Sequence, residues 1–170
     1  YEHRGAAAIS LVFAICNHIV TSRRYRQPLL RDPTHAMQNI QCSRREAMVA
    51  QLSPAARHGT GALARLMRDG GLHCVYQPLA DLREGSIYAH EALIRGQQGT
   101  PLHTPDALLA QASSEGILQD FELFCAFTAL SQWSEQAAPG RLFVNISADA
   151  LVHGVGLIGA QRLGEAVRSL

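Results

Sequence analysis

LHCVYQPLADLREGSIYAHEALIR, residues 72–95, holds two runs of β-branched, aromatic and aliphatic residues around a short polar break. Leu72 to Leu79 reads as one strand and Ser86 to Arg95 as a second, while Asp81-Leu82-Arg83-Glu84-Gly85 supplies the acids and glycine of a hairpin loop. Two strands joined by so short a loop run antiparallel. Alternation along the second places Ile87, Ala89, Glu91, Leu93 and Arg95 on one face and Tyr88, His90, Ala92 and Ile94 on the other. Glu91 and Arg95 then stand about 13 Å apart along the strand, with Leu93 between them. A carboxylate among aliphatic neighbours is costly to bury unpaired, so Glu91 calls for a cation, either a metal ion or an arginine.

Downstream, Gly96 to His103 is a loop. Thr104-Pro105-Asp106 combines an N-cap, a proline at the first helical position and an acid in the first turn, opening a helix that ends at Gly116. A second helix, from about Gln119 to Ser134, carries Leu123, Phe124, Phe127 and Leu130 as a wide apolar stripe, which is core and not a cofactor box. Pro139-Gly140 turns the chain into Arg141 to Ser147 (RLFVNIS), a strand apolar on both faces except for Asn145, as a parallel α/β sheet or barrel requires. An amide inside such a core is either hydrogen-bonded to backbone or coordinating a hard cation. For Asn145 alone the first is the simpler reading; beside Glu91 the second gains, because Mg²⁺ takes carboxylate and carbonyl oxygens. Ala148 to Gly156 reads as loop and Leu157 to Leu170 as helix.

Upstream, Ala62 to Arg68 is a short amphipathic helix, with Leu63, Leu66 and Met67 on one side and Gly70-Gly71 at its end. The boundary of the packed domain is placed there. Pro28 to Gly61 reads as a connector with short helical stretches such as Arg44 to Leu52. Gly5 to Val20 is mostly apolar and is followed by Arg23, Arg24 and Arg26. It falls short of the about 20 apolar residues of a spanning helix and contains Asn17 and His18. It is either the stub of a membrane helix with a positive cytoplasmic flank or a buried element of an upstream region. A first residue of Tyr1 suggests a piece of a longer polypeptide.

The 170 residues are 47% hydrophobic, enough for about one domain with a real core, which excludes disordered, collagenous and coiled-coil classes. All 15 basic residues are arginine, so no chemistry rests on lysine. Residues 1–70 carry ten arginines against four acids and residues 71–170 five against ten. The basic half has scattered arginines without interleaved aromatics, which argues for a solvated surface and against a nucleic-acid polymer as partner. Cys16, Cys42, Cys74 and Cys125 form no CxxC and no spaced Cys/His pair, so they read as free thiols in a reducing compartment.

Five segments together carry a resemblance. Val75-Tyr76-Gln77-Pro78-Leu79, the hairpin with Gly85, Glu91-Ala92-Leu93-Ile94-Arg95, Pro101-Leu102-His103-Thr104-Pro105 and Leu142-Phe143-Val144-Asn145-Ile146-Ser147 resemble, in order and spacing, the first part of an EAL domain, the bacterial cyclic-di-GMP phosphodiesterase family. The resemblance covers residues 71–170. It implies an α/β fold, a partial TIM-like (βα) barrel with an antiparallel first strand. A mainly helical or irregular segment, residues 1–70, precedes it as a connector or sensor remnant. It implies hydrolysis of cyclic di-GMP to linear pGpG with Mg²⁺ or Mn²⁺. Carried over residue by residue, Glu91 is catalytic, Glu91 and Asn145 are metal ligands, and Gln77, Leu93 and Arg95 bind substrate, Arg95 by its guanidinium fork on a phosphate. It further implies a cytoplasmic signalling protein, placed at the inner membrane if the N-terminus associates there, in a family that often works as homodimers. The family's later strands, with another glutamate, paired aspartates and a lysine, do not occur before Leu170. The 170-residue chain alone is therefore expected to be inactive. The alternative is a catalytically silent cyclic-di-GMP-binding module.

Rival motifs are weaker. Gly154-Val155-Gly156-Leu157-Ile158-Gly159 is a literal GxGxxG, but it starts several residues past Ser147 and lacks the acid expected about 20 residues on; it reads as a glycine-rich loop. His90-Glu91 opens an HExxH pattern that fails at Ile94 and lies on a strand. Ser147 has no GxSxG elbow.

Overall fold

The computed structural model describes residues 10–16, 43–135 and 140–168. In chain order these form strand β1 (Ser10–Cys16), helix α1 (residues 43–49), α2 (Pro54–His58), α3 (Ala62–Asp69), strands β2 (His73–Asp81) and β3 (Ser86–Arg95), helices α4 (Pro105–Ser114) and α5 (Leu118–Glu135), strand β4 (Arg141–Ser147), and helices α6 (Ala148–Ile158) and α7 (Ala160–Arg168). The hairpin closes as its composition dictates. The Asp81 carboxylate accepts the backbone N–H groups of Arg83 and Glu84 at 2.8 and 3.2 Å, and the Gly85 N–H returns to the Asp81 carbonyl at 2.9 Å. Gly85 takes φ 62°, a left-handed turn that a side chain would strain. Thr104 caps α4 by accepting the Ala107 N–H, with Pro105 at the first helical position.

The sheet has the order β1-β4-β3-β2 among the described residues. β2 and β3 are antiparallel, with Gln77 opposite Glu91, and β3 and β4 are parallel, with Glu91 opposite Phe143. The architecture is thus mixed α/β with an open sheet; the described strands do not close a barrel. β1 corrects one expectation. Residues 10–16 of the apolar N-terminal run are not helical but a strand antiparallel to β4, with Ser10 opposite Ser147 and Cys16 opposite Arg141. Val12, Phe13 and Ile15 favour extended backbone, and the edge of β4 not used by β3 offers unpaired N–H and C=O groups to pair with. The remainder of that run, its arginine flank, the connector up to residue 42 and Pro139 lie outside the described residues. No described helix is long and apolar enough to cross a membrane.

A second correction concerns residues 148–156, which are helix and not loop. Ser147 ends β4 and caps α6 at once, its hydroxyl accepting the Ala150 N–H at 3.1 Å, and Asp149 adds an acid to the first turn. Gly154 is buried within this helix, where a Cβ would come 2.9 Å from Leu123 Cδ2. The glycine lets α6 close on α5, and the GxGxxG string therefore makes no phosphate-binding loop.

Two buried clusters hold these elements. Ala92, Ala129, Leu130, Trp133, Leu142 and Val144 fill the space between α5 and the sheet. The larger cluster joins Leu52, Ala56, Leu63 and Met67 to Leu108, Ile117, Phe121, Phe124 and Ile146. The expected boundary at Gly70-Gly71 falls inside this second cluster, since α2 and α3 share a core with α4 and α5. Glu115 makes the join polar as well. Its carboxylate accepts the N–H groups of Leu63 and Ala64 at 2.9 and 3.1 Å, capping α3 from the far end of α4, and the Gln111 side-chain amide donates to it at 2.7 Å. Burial alone would raise this carboxyl. The bonds from Leu63, Gln111 and Ala64 and the charge of Arg65 outweigh it and hold the group below the ordinary carboxylate range.

Because the folded state keeps Glu115 ionised to lower pH than the unfolded chain does, its contribution is present at neutral pH. It is lost as the pH falls below the ordinary glutamate value of about 4.3 and through the lower folded one. Glu115→Ala is expected to cost about 1–2 kcal/mol in urea unfolding at pH 7. The difference from wild type should shrink as the pH is lowered through that window; an equal difference at pH 7 and below pH 3 would contradict the assignment.

Candidate functional site

The sheet has one covered and one open face. On the covered face Trp133 of α5 stands between Tyr76 and His90, with ring centroids 5.0 Å from each, and the Tyr76 hydroxyl donates to the Ala129 carbonyl at 2.9 Å. Leu142, Val144 and Ile146 of β4 are buried on this side. Cys74 and Cys125 are here too, as free thiols. Burial pushes Cys74 up to about 12 against the opposing pull of Arg95, and pushes Cys125 well above the ordinary thiol range. Neither is a thiolate nucleophile at neutral pH. The Tyr76 phenol is raised first by burial and then because its anion would lie beside Cys74, once that thiol ionises, and the Glu135 carboxylate, so it stays protonated in place.

The opposite face collects the residues singled out by sequence. Glu91 and Asn145 come from separate strands, and Asn145 Nδ2 donates to Glu91 Oε1 at 2.7 Å. Gln77 sits directly across β2 from Glu91, and Leu93 is the next residue of β3 on that side, opposite Val75. Arg95 lies at the end of β3 opposite His73, with its guanidinium turned back to donate to the Ile94 carbonyl at 2.8 Å. The structure therefore brings Gln77, Glu91 and Asn145 together, keeps Leu93 adjacent and leaves Arg95 at the margin. Two expectations change. Arg95 is not the partner of Glu91, since its guanidinium turns to the Ile94 carbonyl, and the group that meets Glu91 among the described residues is the Asn145 amide. β4 is covered on one face only, with Asn145 exposed and Phe143 half-buried.

Sequence reading missed two neighbours of this site, Tyr88 and Glu122. Tyr88 escapes strict alternation because the β2–β3 register shifts: Leu79 faces Ala89 and Ala80 faces Ile87, leaving Tyr88 with no opposite residue. Its ring stands 6.4 Å from Phe143 and beneath the Arg141 guanidinium, 4.4 Å from the ring centroid. Phe143 was legible, two residues before Asn145 and so on its side. Glu122 of α5, which accepts the Ser147 N–H at 2.8 Å just beyond Asn145, had no sequence signal.

The donor chemistry suits a hard cation in part. A carboxylate and an amide close enough to hydrogen-bond can turn two oxygens toward a common ion, once the Asn145 amide rotates to present Oδ1. Together they supply two of the about six ligands of Mg²⁺, which commonly keeps waters in other positions. No group of three or more His, Cys, Asp or Glu side chains is placed to hold a metal among the described residues.

Fold and site define the class: a mixed α/β protein that exposes a carboxylate–amide pair on the open face of a sheet. The EAL domain family matches residues 60–167, well over half of the chain, and the chain belongs to this family of cyclic-di-GMP phosphodiesterases. Members take cyclic di-GMP as substrate and generally depend on a divalent metal. No curated protein and no solved structure matches the chain significantly.

Proposed function

We propose that this chain carries the metal-binding and part of the substrate-binding surface of a cytoplasmic cyclic-di-GMP phosphodiesterase, built on part of a TIM-like barrel, that yields linear pGpG. The reading rests on one observation: Glu91 and Asn145, from different strands, meet at 2.7 Å on the open face, beside Gln77. Glu91 and Asn145 would hold Mg²⁺ or Mn²⁺. When bound, the ion supplies Lewis-acid polarisation of a phosphoryl oxygen and lowers the pKa of a water. Arg95 needs only to release the Ile94 carbonyl to offer a planar fork to a phosphate oxygen pair. Gln77 and Leu93 line the nucleotide beside it, one by hydrogen bonding and one by apolar contact.

A second reading, a silent binding module, is favoured by the absence, among the described residues, of any group of three or more His, Cys, Asp or Glu side chains placed to hold a metal. Titration calorimetry with cyclic di-GMP separates the two. The phosphodiesterase reading expects binding strengthened by Mg²⁺ and weakened by Glu91→Ala. It also expects Arg95→Ala to weaken binding by about 10-fold or more, the equivalent of one charge-assisted hydrogen bond. A silent module binds equally well without metal and ignores Glu91→Ala. Absence of binding, or binding untouched by both substitutions, overturns both readings. With one carboxylate and one amide as its site, the 170-residue chain is expected to show no conversion to the linear dinucleotide.

A further inference from the structure

We propose that Glu122 is a positioning residue for Asn145, fixing the exit of β4 so that the amide stands over Glu91. The proposal rests on reading Glu91 and Asn145 as the site. The parallel ladder between β3 and β4 runs from Ala89 opposite Arg141 to Ala92 opposite Val144 and ends there. Asn145, Ile146 and Ser147 project beyond it, so β3 does not set their height. β1 pairs with all three on the other edge, Val12 opposite Asn145 and Ser10 opposite Ser147, but the Ser147 N–H goes to Glu122 Oε2 at 2.8 Å. Asn145 and Ser147 are two apart on an extended chain and share a direction, so what fixes one N–H fixes the reach of the other side chain.

Glu122 is a firm anchor because its neighbours are core. Phe121, Leu123 and Phe124 are 1%, 3% and 3% exposed. The same stretch of α5 also references α6, through Asp120 Oδ1 and His153 Nε2 at 3.1 Å and through Leu123 against Gly154. The strand exit, its cap and the following helix are all measured from α5. Without the Glu122 acceptor a half-buried N–H loses its partner, and the strand end is free to seek another.

The test uses nuclear magnetic resonance on the 170-residue chain with Glu122→Gln, which still presents an acceptor oxygen, and Glu122→Met, which keeps the methylenes and helix propensity without one. In the metal-free chain, Glu122→Met is expected to speed Ser147 amide exchange about 10-fold or more and to shift the Asn145 side-chain amide toward its unbonded position. Glu122→Gln should leave both near wild type. Added Mn²⁺ should broaden Asn145 and its neighbours, with an affinity about 10-fold weaker in Glu122→Met than in Glu122→Gln. An unmoved Asn145 resonance in Glu122→Met, equal losses in the two variants, or global unfolding of the Met variant alone would overturn the proposal, the last by making the bond a folding contact. If Mn²⁺ broadens nothing in wild type, the metal reading fails while the metal-free measurements still decide the role of Glu122.

Discussion

Glu91→Gln should remove divalent-metal binding from the open face while leaving the fold in place. Glutamine keeps an acceptor oxygen where Asn145 Nδ2 now donates at 2.7 Å, so the inter-strand contact survives. What disappears is the negative charge, and among Gln77, Leu93, Asn145 and Phe143 there is no other. A dication must shed tightly held water to bind, and neutral amides alone do not replace that hydration. The expected loss in Mn²⁺ affinity is about 100-fold or more, at or above the upper range seen when partners outside the coordination shell are removed. Glu91→Ala should lose as much metal affinity and also release the Asn145 amide. Because Glu91 is half-exposed and the contact lies at the surface, unfolding free energy should change by no more than about 0.5–1 kcal/mol in either variant. Calorimetric titration with Mn²⁺, paired with urea unfolding, checks both halves. Wild-type metal affinity in Glu91→Gln would sink the assignment, whatever the nucleotide does.

The parts of this molecule legible in its sequence are those fixed by local chemistry. Asp81 to Gly85 contains its own turn bonds, Thr104-Pro105 its own cap, and the period-two pattern of Ser86 to Arg95 and Arg141 to Ser147 sets both strand limits as found. The shared face of Glu91 and Asn145 followed from a resemblance supported by that alternation. The hairpin register then put Gln77 opposite Glu91. What stayed hidden depends on partners distant in sequence. Ser10–Cys16 becomes strand because β4 has an edge to pair with, and a seven-residue apolar run does not announce that edge. Gly154 looks like loop composition until Leu123 is seen to need the space of a missing side chain. Tyr88 changes sides through a register shift that no residue type signals, and Arg95 turns to its own backbone where a phosphate-binding role would have it face the site.

Asp120→Ala should be among the most destabilising single substitutions outside the apolar core. Asp120 is the one charged residue buried among the described residues, 4% exposed, and it is buried because its oxygens are fully used. Oδ1 accepts the Ser53 N–H at 2.9 Å and meets His153 Nε2 at 3.1 Å, while Oδ2 accepts the Ser53 hydroxyl at 2.7 Å. Ser53 is the N-cap of α2 and His153 belongs to α6, so one carboxylate ties α2, α5 and α6 together. Alanine would leave the Ser53 N–H and hydroxyl without their acceptor in a part-buried place and loosen α6 from α5. At about 1–3 kcal/mol for each orphaned buried group, with some relaxation by water, a total of about 3 kcal/mol is expected. Asp120→Asn should cost less, about 1–2 kcal/mol, because one oxygen still accepts from Ser53 while the amide nitrogen must find an acceptor. His153→Ala should cost less again, because that side chain is 32% exposed and its removal leaves Asp120 both Ser53 bonds. The order Ala, Asn at 120, then Ala at 153, read from urea unfolding at pH 7, follows from the carboxylate being the hub of the cluster. An Asp120→Ala variant within about 0.5 kcal/mol of wild type would show that α2 and α6 are held to α5 by apolar packing alone.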